Sequence, residues 1–468
     1  MNISVPSTLE RKKDTMRFDM TRGKPVSLLA RFALPLIVSS MLQQLYTLCD
    51  SAIVGRLLGE NAFAAVGAAA FLHGIPLSIL LGCTQGFGVA VGQRFGAKDD
   101  GGVNRFFSTA LLLSLSFGLT LSFLGLVLLK PLLGLMKTPE QLLPDSAGYL
   151  TVLWLGLAVT AVMNMAASGL RAMGDSRTPL FGLLLSSFLN ILLDVLLVAV
   201  LPLGVMGTAL ATVLSQLAAA GLFLRALSRA GAVSLRHLHL PGRAQIRELL
   251  RLGVPPMLSF GVNAASGGLY QRVINGFGVA VITGMSASYR YFDLLNLVGY
   301  GMEGAVATFT AQNAGAKDYR RIRRGTNAAL LLGGGATVAI NLLAVIFAEP
   351  MIGLFLGDGL TEAVQVGAAS LRVRSAFVVS MYLLCAWRAA ISGMGNAVIP
   401  MISGFLELGL KTAAILTLPR LLGLQGLYLM DAAAWIPVAL FLGLCYRRIL
   451  KQKLYLAVRR TVNGLTIS

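Results

Sequence analysis

Charge is scarce in this chain, and so are the residue types that carry covalent or metal chemistry. Only 13% of its 468 residues are Asp, Glu, Lys or Arg, about half the share of an ordinary soluble chain. That shortage excludes a water-soluble globule of this length. The four cysteines, Cys49, Cys83, Cys385 and Cys445, stand singly with no CxxC neighbour, which excludes a disulfide framework and a thiolate metal site and leaves them as small apolar packing residues. Of three histidines, His237 and His239 fall in a basic loop and His73 stands alone. No histidine-rich metal set or nucleophile–base pair is available, so the chain is read as no enzyme and as needing no cofactor. A Walker A sequence is absent, and no segment has room for a nucleotide-binding domain, which removes ATP as a direct power source.

What is present is apolar: 56% of residues are hydrophobic and the mean hydropathy is +0.75. Windows long enough to cross about 30 Å of hydrocarbon recur twelve times, near residues 27–52, 62–92, 106–129, 147–170, 179–203, 205–228, 253–278, 280–311, 326–348, 368–394, 398–419 and 424–446. The runs are far longer than the roughly ten-residue alternating segments of a membrane β-barrel, so an all-α polytopic membrane protein is expected. Twenty-nine of the 39 Lys and Arg fall in residues 1–31, 94–105, 171–177, 225–251, 317–324 and 447–460, whereas the alternate connectors hold Arg56, Lys130, Lys137 and Arg420. The positive-inside rule then puts both termini in the cytoplasm of a cell (inner) membrane protein. A net charge of +19 is mostly topology. Spread over six short segments, it offers no patch for nucleic acid.

The chain also repeats itself. "GQRFGAKDDGGVNRFFSTALLL" begins at 92 and "AQNAGAKDYRRIRRGTNAALLL" at 311, and the two GAKD cores differ by 219 positions. "ALPLIVSS" at 33 pairs with "GVPPMLSF" at 253, "LLGLM" at 132 with "MIGLF" at 351, and "AMGDSRTP" at 172 with "SGMGNAVIP" at 392. Twelve transmembrane helices thus form two six-helix repeats. Because six is even, the repeats are parallel, an arrangement that places a central cavity between an N-lobe and a C-lobe and suits alternating access. The expected division is a cytoplasmic tail 1–25, an N-lobe 26–228, a linker 229–250, a C-lobe 251–447 and a second cytoplasmic tail 448–468.

Polar residues inside the apolar runs mark the candidate site. Asp50 lies in the first span, and a carboxylate at mid-bilayer costs about 2.5–3.5 kcal/mol on insertion scales, so it tends to face water or a partner. In the fifth span, "SFLNILLD" puts Asn190 and Asp194 four residues apart on one helix face. Thr212 follows in the sixth, with Gln216 one turn on. Two carboxylates, an amide oxygen and a hydroxyl form a hard-oxygen set suited to Na⁺, and the same carboxylates can exchange H⁺. Gln43, Tyr46 and Asn164 are candidate cavity residues in the same half.

The run "LPLIVSSMLQQLYTLCDSAIVGRLLGENAFAAVG", the paired GAKD loops and "GLRAMGDSRTPLFGLLLSSFLNILLD", in duplicate over residues 26 to 448, resemble the multidrug and toxic compound extrusion (MATE) transporters of the wider MOP flippase superfamily. The resemblance implies that Asp50, Asn190, Asp194 and Thr212 form an N-lobe cation site. The Asn that this family can place in the fourth span falls at Ala167, with Asn164 about one turn away. It also implies a secondary antiporter that exports small amphiphilic organic compounds in exchange for Na⁺ or H⁺, acting as a monomer among membrane lipids. Alternatives are a flippase for lipid-linked saccharides or lipids, and an exporter of an anionic metabolite.

The second half is more charged inside. Arg272, Arg290, Asp293, Glu303, Arg388, Glu407, Lys411 and Asp431 fall within or near expected spans. The spacing predicts local ion pairs, Glu407 with Lys411 and Arg290 with Asp293. The functional reading instead has Tyr270, Arg290, Arg388, Glu407 and Lys411 line a cavity that favours anionic or zwitterionic amphiphiles. The repeat offset aligns Tyr270 with Asp50 and Lys411 with Asn190, so the C-lobe is not expected to duplicate the cation site. Pro35 and the pair Pro255–Pro256 occupy equivalent positions and are candidate bends.

Overall fold

A computed structural model describes residues 18–231, 239, 241–357 and 360–465. The tail 1–17, His237 and Asp358 lie outside the described residues, as does the side chain of Cys49. Among the described residues the chain is all α, with sixteen α-helices and no strand. The described residues divide into two compact units, one of residues from 18–19 and 38–264, the other of residues from 20–37 and 265–465. Two of the three interior boundaries, 37/38 and 264/265, fall within helices that contain proline, α1 (Pro25–Leu58, with Pro35) and α8 (Arg243–Asn275, with Pro255 and Pro256).

The first unit holds the rest of α1, then α2 (Glu60–Gly96), α3 (Asp100–Leu135), α4 (Leu143–Leu155), α5 (Leu157–Ala172), α6 (Arg177–Asp194) and α7 (Gly204–Arg229), with the start of α8. Proline shapes one of its contacts. Residue 256 has no N–H, so the Leu252 carbonyl loses its helical partner. That carbonyl lies against Gly86 of α2, and a Cβ at Gly82, one turn earlier, would sit 2.5 Å from the Pro256 oxygen. Only glycine lets the two backbones approach this closely.

The second unit continues with α9 (Val279–Leu295), α10 (Leu297–Gly315), α11 (Tyr319–Ile346), α12 (Ala348–Leu356), α13 (Thr361–Ala376), α14 (Val378–Gly393), α15 (Val398–Leu422) and α16 (Leu424–Leu465). Its core is rich in aromatic side chains, with Phe292, Phe309, Tyr382 and Trp435 buried.

The sequence repeat is also a repeat of local geometry. In each GAKD loop the lysine takes a left-handed backbone, φ 60° at Lys98 and 59° at Lys317. The following aspartate then caps a helix, Asp99 accepting from the Gly102 N–H at 2.8 Å and Asp318 from the Arg321 N–H at 2.9 Å. The later turns match as well, with Gly174 at φ 87° and Gly395 at φ 86°. Asp175 accepts from the Thr178 N–H (2.9 Å) and Asn396 from that of Ile399 (3.2 Å). Residues 140–172 bend by 47° between α4 and α5, and residues 361–393 by 51° between α13 and α14. The bends fall at Gly156 and Phe377, which the repeat offset makes equivalent.

Among the described residues, eight helices are long and apolar enough to cross a membrane, or ten when each bent pair is one span. The two remaining expected spans are helical but more polar. Helix α8 opens on Arg243, Arg247, Glu248 and Arg251, while α9 and α10 carry Arg290, Asp293 and Glu303 and are interrupted at Asn296.

Candidate functional site

In the first unit, three helices converge on a small polar cluster. Helix α1 brings Tyr46 and Asp50, spaced one turn apart; α6 brings Asn190 and Asp194; α7 brings Thr212. Asn190 and Asp194 are fully buried. The fold therefore brings together the four residues expected to hold an ion, and adds Tyr46.

The bonding is specific. With its amide oriented to satisfy its neighbours, Asn190 accepts from the Thr212 N–H at 3.1 Å and donates to Asp194 Oδ2 at 2.9 Å and to the Tyr46 hydroxyl at 3.3 Å. The Thr212 hydroxyl donates to the Thr208 carbonyl at 3.1 Å. The Asp50 and Asp194 carboxyls lie near enough to interact directly. Ionised carboxylates only accept hydrogen bonds, so the two can bond each other only when one of them carries a proton. Asp50 Oδ1 and Asp194 Oδ1 are buried and receive no hydrogen bond from described protein groups. Two inward carboxyl oxygens without a donor are what a site for a small cation needs.

Na⁺ would need a different amide setting. In the opposite orientation Asn190 donates to the Thr212 hydroxyl at 3.3 Å and turns its oxygen toward Asp194. The site thus has one arrangement that fits a shared proton and another that adds a neutral oxygen for a metal ion. No new side chain has to enter for either.

Local backbone reinforces the placement. Helix α6 ends at Asp194 and continues directly as a π-helix, Val195–Val200. A π segment widens the turn and breaks the regular pairing, a feature frequent at functional sites. Tyr149 of α4 lies within electrostatic range of both carboxyls and packs against Val54 and Val205. Neither the π segment nor Tyr149 was expected from the sequence, and no local motif marks them.

Among the described residues, no hydrogen bond joins the other candidates of this half to the cluster. Gln43 is exposed and its carbonyl accepts from Thr47 at 2.9 Å. Asn164 is half-buried on α5. Gln216 is engaged with Thr160, whose hydroxyl donates to it at 2.6 Å.

The second unit corrects the expected pairing of its charges. Glu407 does not turn to Lys411 on its own helix; it accepts from Arg388 of α14 at 2.6 Å. Lys411 reaches across to Asp431 of α16 at 2.6 Å. The other Asp431 oxygen accepts from Arg374 of α13 at 2.5 Å. Arg374, not foreseen from the sequence, is buried with its guanidinium 4.0 Å from the Tyr289 ring centre and 4.4 Å from that of Phe292. Lys411 lies 4.6 Å from the ring of Tyr270. The two positions aligned with Asp50 and Asn190, Tyr270 and Lys411, thus do meet, and they hold an ammonium belonging to the chain itself. Arg290 is exposed and stands 6.0 Å from the Phe355 ring, not in an ion pair with Asp293. Distant partners win because helix packing brings full counter-charges into line, whereas an i,i+4 pair adds only a few tenths of a kcal/mol.

The family model MatE matches residues 35–196 and 256–414, one match in each repeat and together more than half of the chain. The chain belongs to the MATE family. Probable multidrug resistance protein YpnP of Bacillus subtilis is 26% identical over 358 residues, covering 76% of this chain and 79% of that protein. The FAD transporter of Shewanella oneidensis is 27% identical over 345 residues, covering 70% of this chain and 74% of its own length. A solved MOP-superfamily transporter from Pyrococcus furiosus, described as having a binding pocket of reversed polarity that suggests a different function, superposes with a TM-score of 0.86 at 23% identity, covering 93% of this chain and 98% of that one. That likeness shows the fold. As a MATE-family member, the chain is a multi-pass membrane transporter of small organic substrates.

Proposed function

We propose that this transporter is a secondary antiporter that exports amphiphilic organic compounds, drugs and toxins among them, by alternating access, and that the Asp50–Asp194 pair carries the coupling ion. The observation that supports this reading best is two carboxyls meeting in an apolar setting, with Asn190, Thr212 and Tyr46 bonded around them. The closeness of the two carboxyls and the amide that donates to Asp194 favour H⁺ over Na⁺ as the ion. Loading the pair with a proton leaves it neutral enough to stay in a low-dielectric site. Losing the proton leaves two like charges close together, which repel strongly unless water or a cation enters. A change of helix geometry at the π segment after Asp194 would relieve that repulsion and link ion release to the state of the lobes. The membrane is the cell (inner) membrane, with both termini in the cytoplasm, on the strength of the basic connectors. The twelve-span division into N-lobe 26–228 and C-lobe 251–447 belongs to the same reading.

A second reading is export of an anionic metabolite. The relative named an FAD transporter favours it, but Arg388 and Lys411, two of the cations that suggested it, are already paired with Glu407 and Asp431. Dye efflux from proteoliposomes under an imposed H⁺ gradient, and separately under a Na⁺ gradient, tests the proposal. Efflux driven by H⁺ and abolished by Asp50→Asn is expected. Efflux of flavin nucleotides and not of dyes would favour the second reading, and no efflux under either gradient would overturn the antiport.

A further inference from the structure

Within the second unit, α11 and α16, with Trp387 of α14, border an open cavity of about 1070 Å³. Five cations line it: Arg320, Arg323 and Arg324 from the first turns of α11, and Arg447 and Lys451 from α16. The first three are spaced i, i+3, i+4 and the last two i, i+4, so each set shares one helix face. No carboxylate lines the cavity. Among the described residues, none of the five is in an ion pair. All five side chains are exposed, so water and salt screen their mutual repulsion in part, and an anion seated among them would lower what is left.

The cavity lining is also largely apolar. Leu330, Leu450, Leu454 and the Trp387 ring line it alongside the charges. A free inorganic anion would leave this wall bare, whereas an acyl chain would cover it. Topology does not require the arrangement, as the first repeat shows. The repeat offset aligns Arg320 with Gly101, Arg323 with Asn104 and Trp387 with Ala166. The equivalent loop of the first repeat therefore meets the same orientation rule without the extra cations or the ring. The residues stand where the apolar part of α11 begins and that of α16 ends, at the membrane border on the side of the basic connectors.

We propose that this cavity binds an anionic phospholipid, its phosphate between the α11 and α16 cations and the start of an acyl chain against Trp387 and the leucines. Basic pockets between membrane helices on this side recognise such headgroups, each Lys or Arg strengthening binding about fivefold. The site is independent of the transported substrate and of the coupling ion.

The test uses the full chain in phosphatidylcholine–detergent micelles, titrated with brominated phosphatidylglycerol or brominated phosphatidylcholine while tryptophan fluorescence is read. Trp154 and Trp435 are buried, so contact quenching reports mainly on Trp387. Phosphatidylglycerol is expected to quench at a lower mole fraction than phosphatidylcholine, and Trp387→Phe to remove the difference. Joint replacement Arg320→Gln, Arg323→Gln and Arg324→Gln should weaken the phosphatidylglycerol effect on the order of a hundredfold, while Arg105→Gln in the equivalent loop leaves it unchanged. The comparison of the two lipids on the unaltered protein decides the matter if the triple variant does not fold. Equal quenching by both lipids, or a difference that survives Trp387→Phe, would overturn the proposal. So would displacement of the brominated lipid by inorganic phosphate as effective as by unlabelled phosphatidylglycerol, because the site would then be one for a soluble anion.

Discussion

Replacing Asp431 by Asn keeps the shape of the side chain and removes the one charge that Arg374 and Lys411 share. The contacts are short, 2.5 Å and 2.6 Å, and the Arg374 and Asp431 side chains are only 6% and 3% exposed. At an effective dielectric of about 20, each pair attracts by roughly 6 kcal/mol, set against several kcal/mol of desolvation for each ion. Removing the carboxylate charge leaves two neighbouring cations buried without compensation, at a net cost of about 3–5 kcal/mol. For a unit of this size, with about 2–4 °C per kcal/mol, the melting temperature of the purified protein should fall by about 6–20 °C. Lys411→Met is expected to cost less, because Arg374 and Asp431 still satisfy each other. Combining Asp431→Asn with Lys411→Met should then recover stability relative to Asp431→Asn alone, since one of the two repelling charges is gone. Thermal unfolding followed by tryptophan fluorescence suits the question, with Trp435 5.8 Å from the Arg374 guanidinium by ring centre. Wild-type stability for Asp431→Asn, or a double variant whose loss equals the sum of the single losses, would refute the reasoning.

Two further outcomes follow from local geometry. Asp99→Ala and Asp318→Ala each remove one helix cap of the duplicated loop and should each cost about 1 kcal/mol, with hydrogen exchange rising in the first turn of α3 or of α11 respectively; protection unchanged in both would show the caps to be idle. Gly86→Val places a branched side chain against the Leu252 carbonyl and Gly253, where the obstacle is backbone, so the loss should exceed the roughly 1–3 kcal/mol of ordinary overpacking. A melting temperature near that of the wild type would mean that α2 and α8 are not held this close.

Much of this molecule is legible in its sequence because membrane helices and repeats write themselves in single-residue patterns. Apolar runs, basic connectors and the duplicated GAKD loops each depend on residues near one another in the chain. Asn190 and Asp194 were readable as a pair for the same reason, lying four apart on one face. Joining them to Asp50 and Thr212 needed the cost of a buried carboxylate as a guide and the family resemblance as support. What remained hidden depends on packing. Lys411 is bound to Asp431 and Glu407 to Arg388 because α15 lies beside α16 and α14, which no helical period states. Arg374 sits in a half-polar stretch, "SLRVRSA", whose neighbours gave no reason to single it out. The π-helix after Asp194 has the apolar sequence VLLVAV, which reads as a plain continuation of α6. The break at Asn296 divides a run that hydropathy alone takes as one span, although its side chain, donating to the Phe292 carbonyl at 2.7 Å, shows how the chain settles the interruption.

The claim at the centre of this account is that Asp50 and Asp194 hold a proton that is given up when substrate is loaded. The most direct measurement is proton release on addition of a cationic dye to the purified protein in weakly buffered solution, comparing the wild type with Asp50→Asn and Asp194→Asn at saturating dye. Release of about one proton per bound dye by the wild type, and none by either variant, is the predicted result. Equal release by the variants, or dye binding by the wild type that changes with Na⁺ and releases no proton, would contradict it.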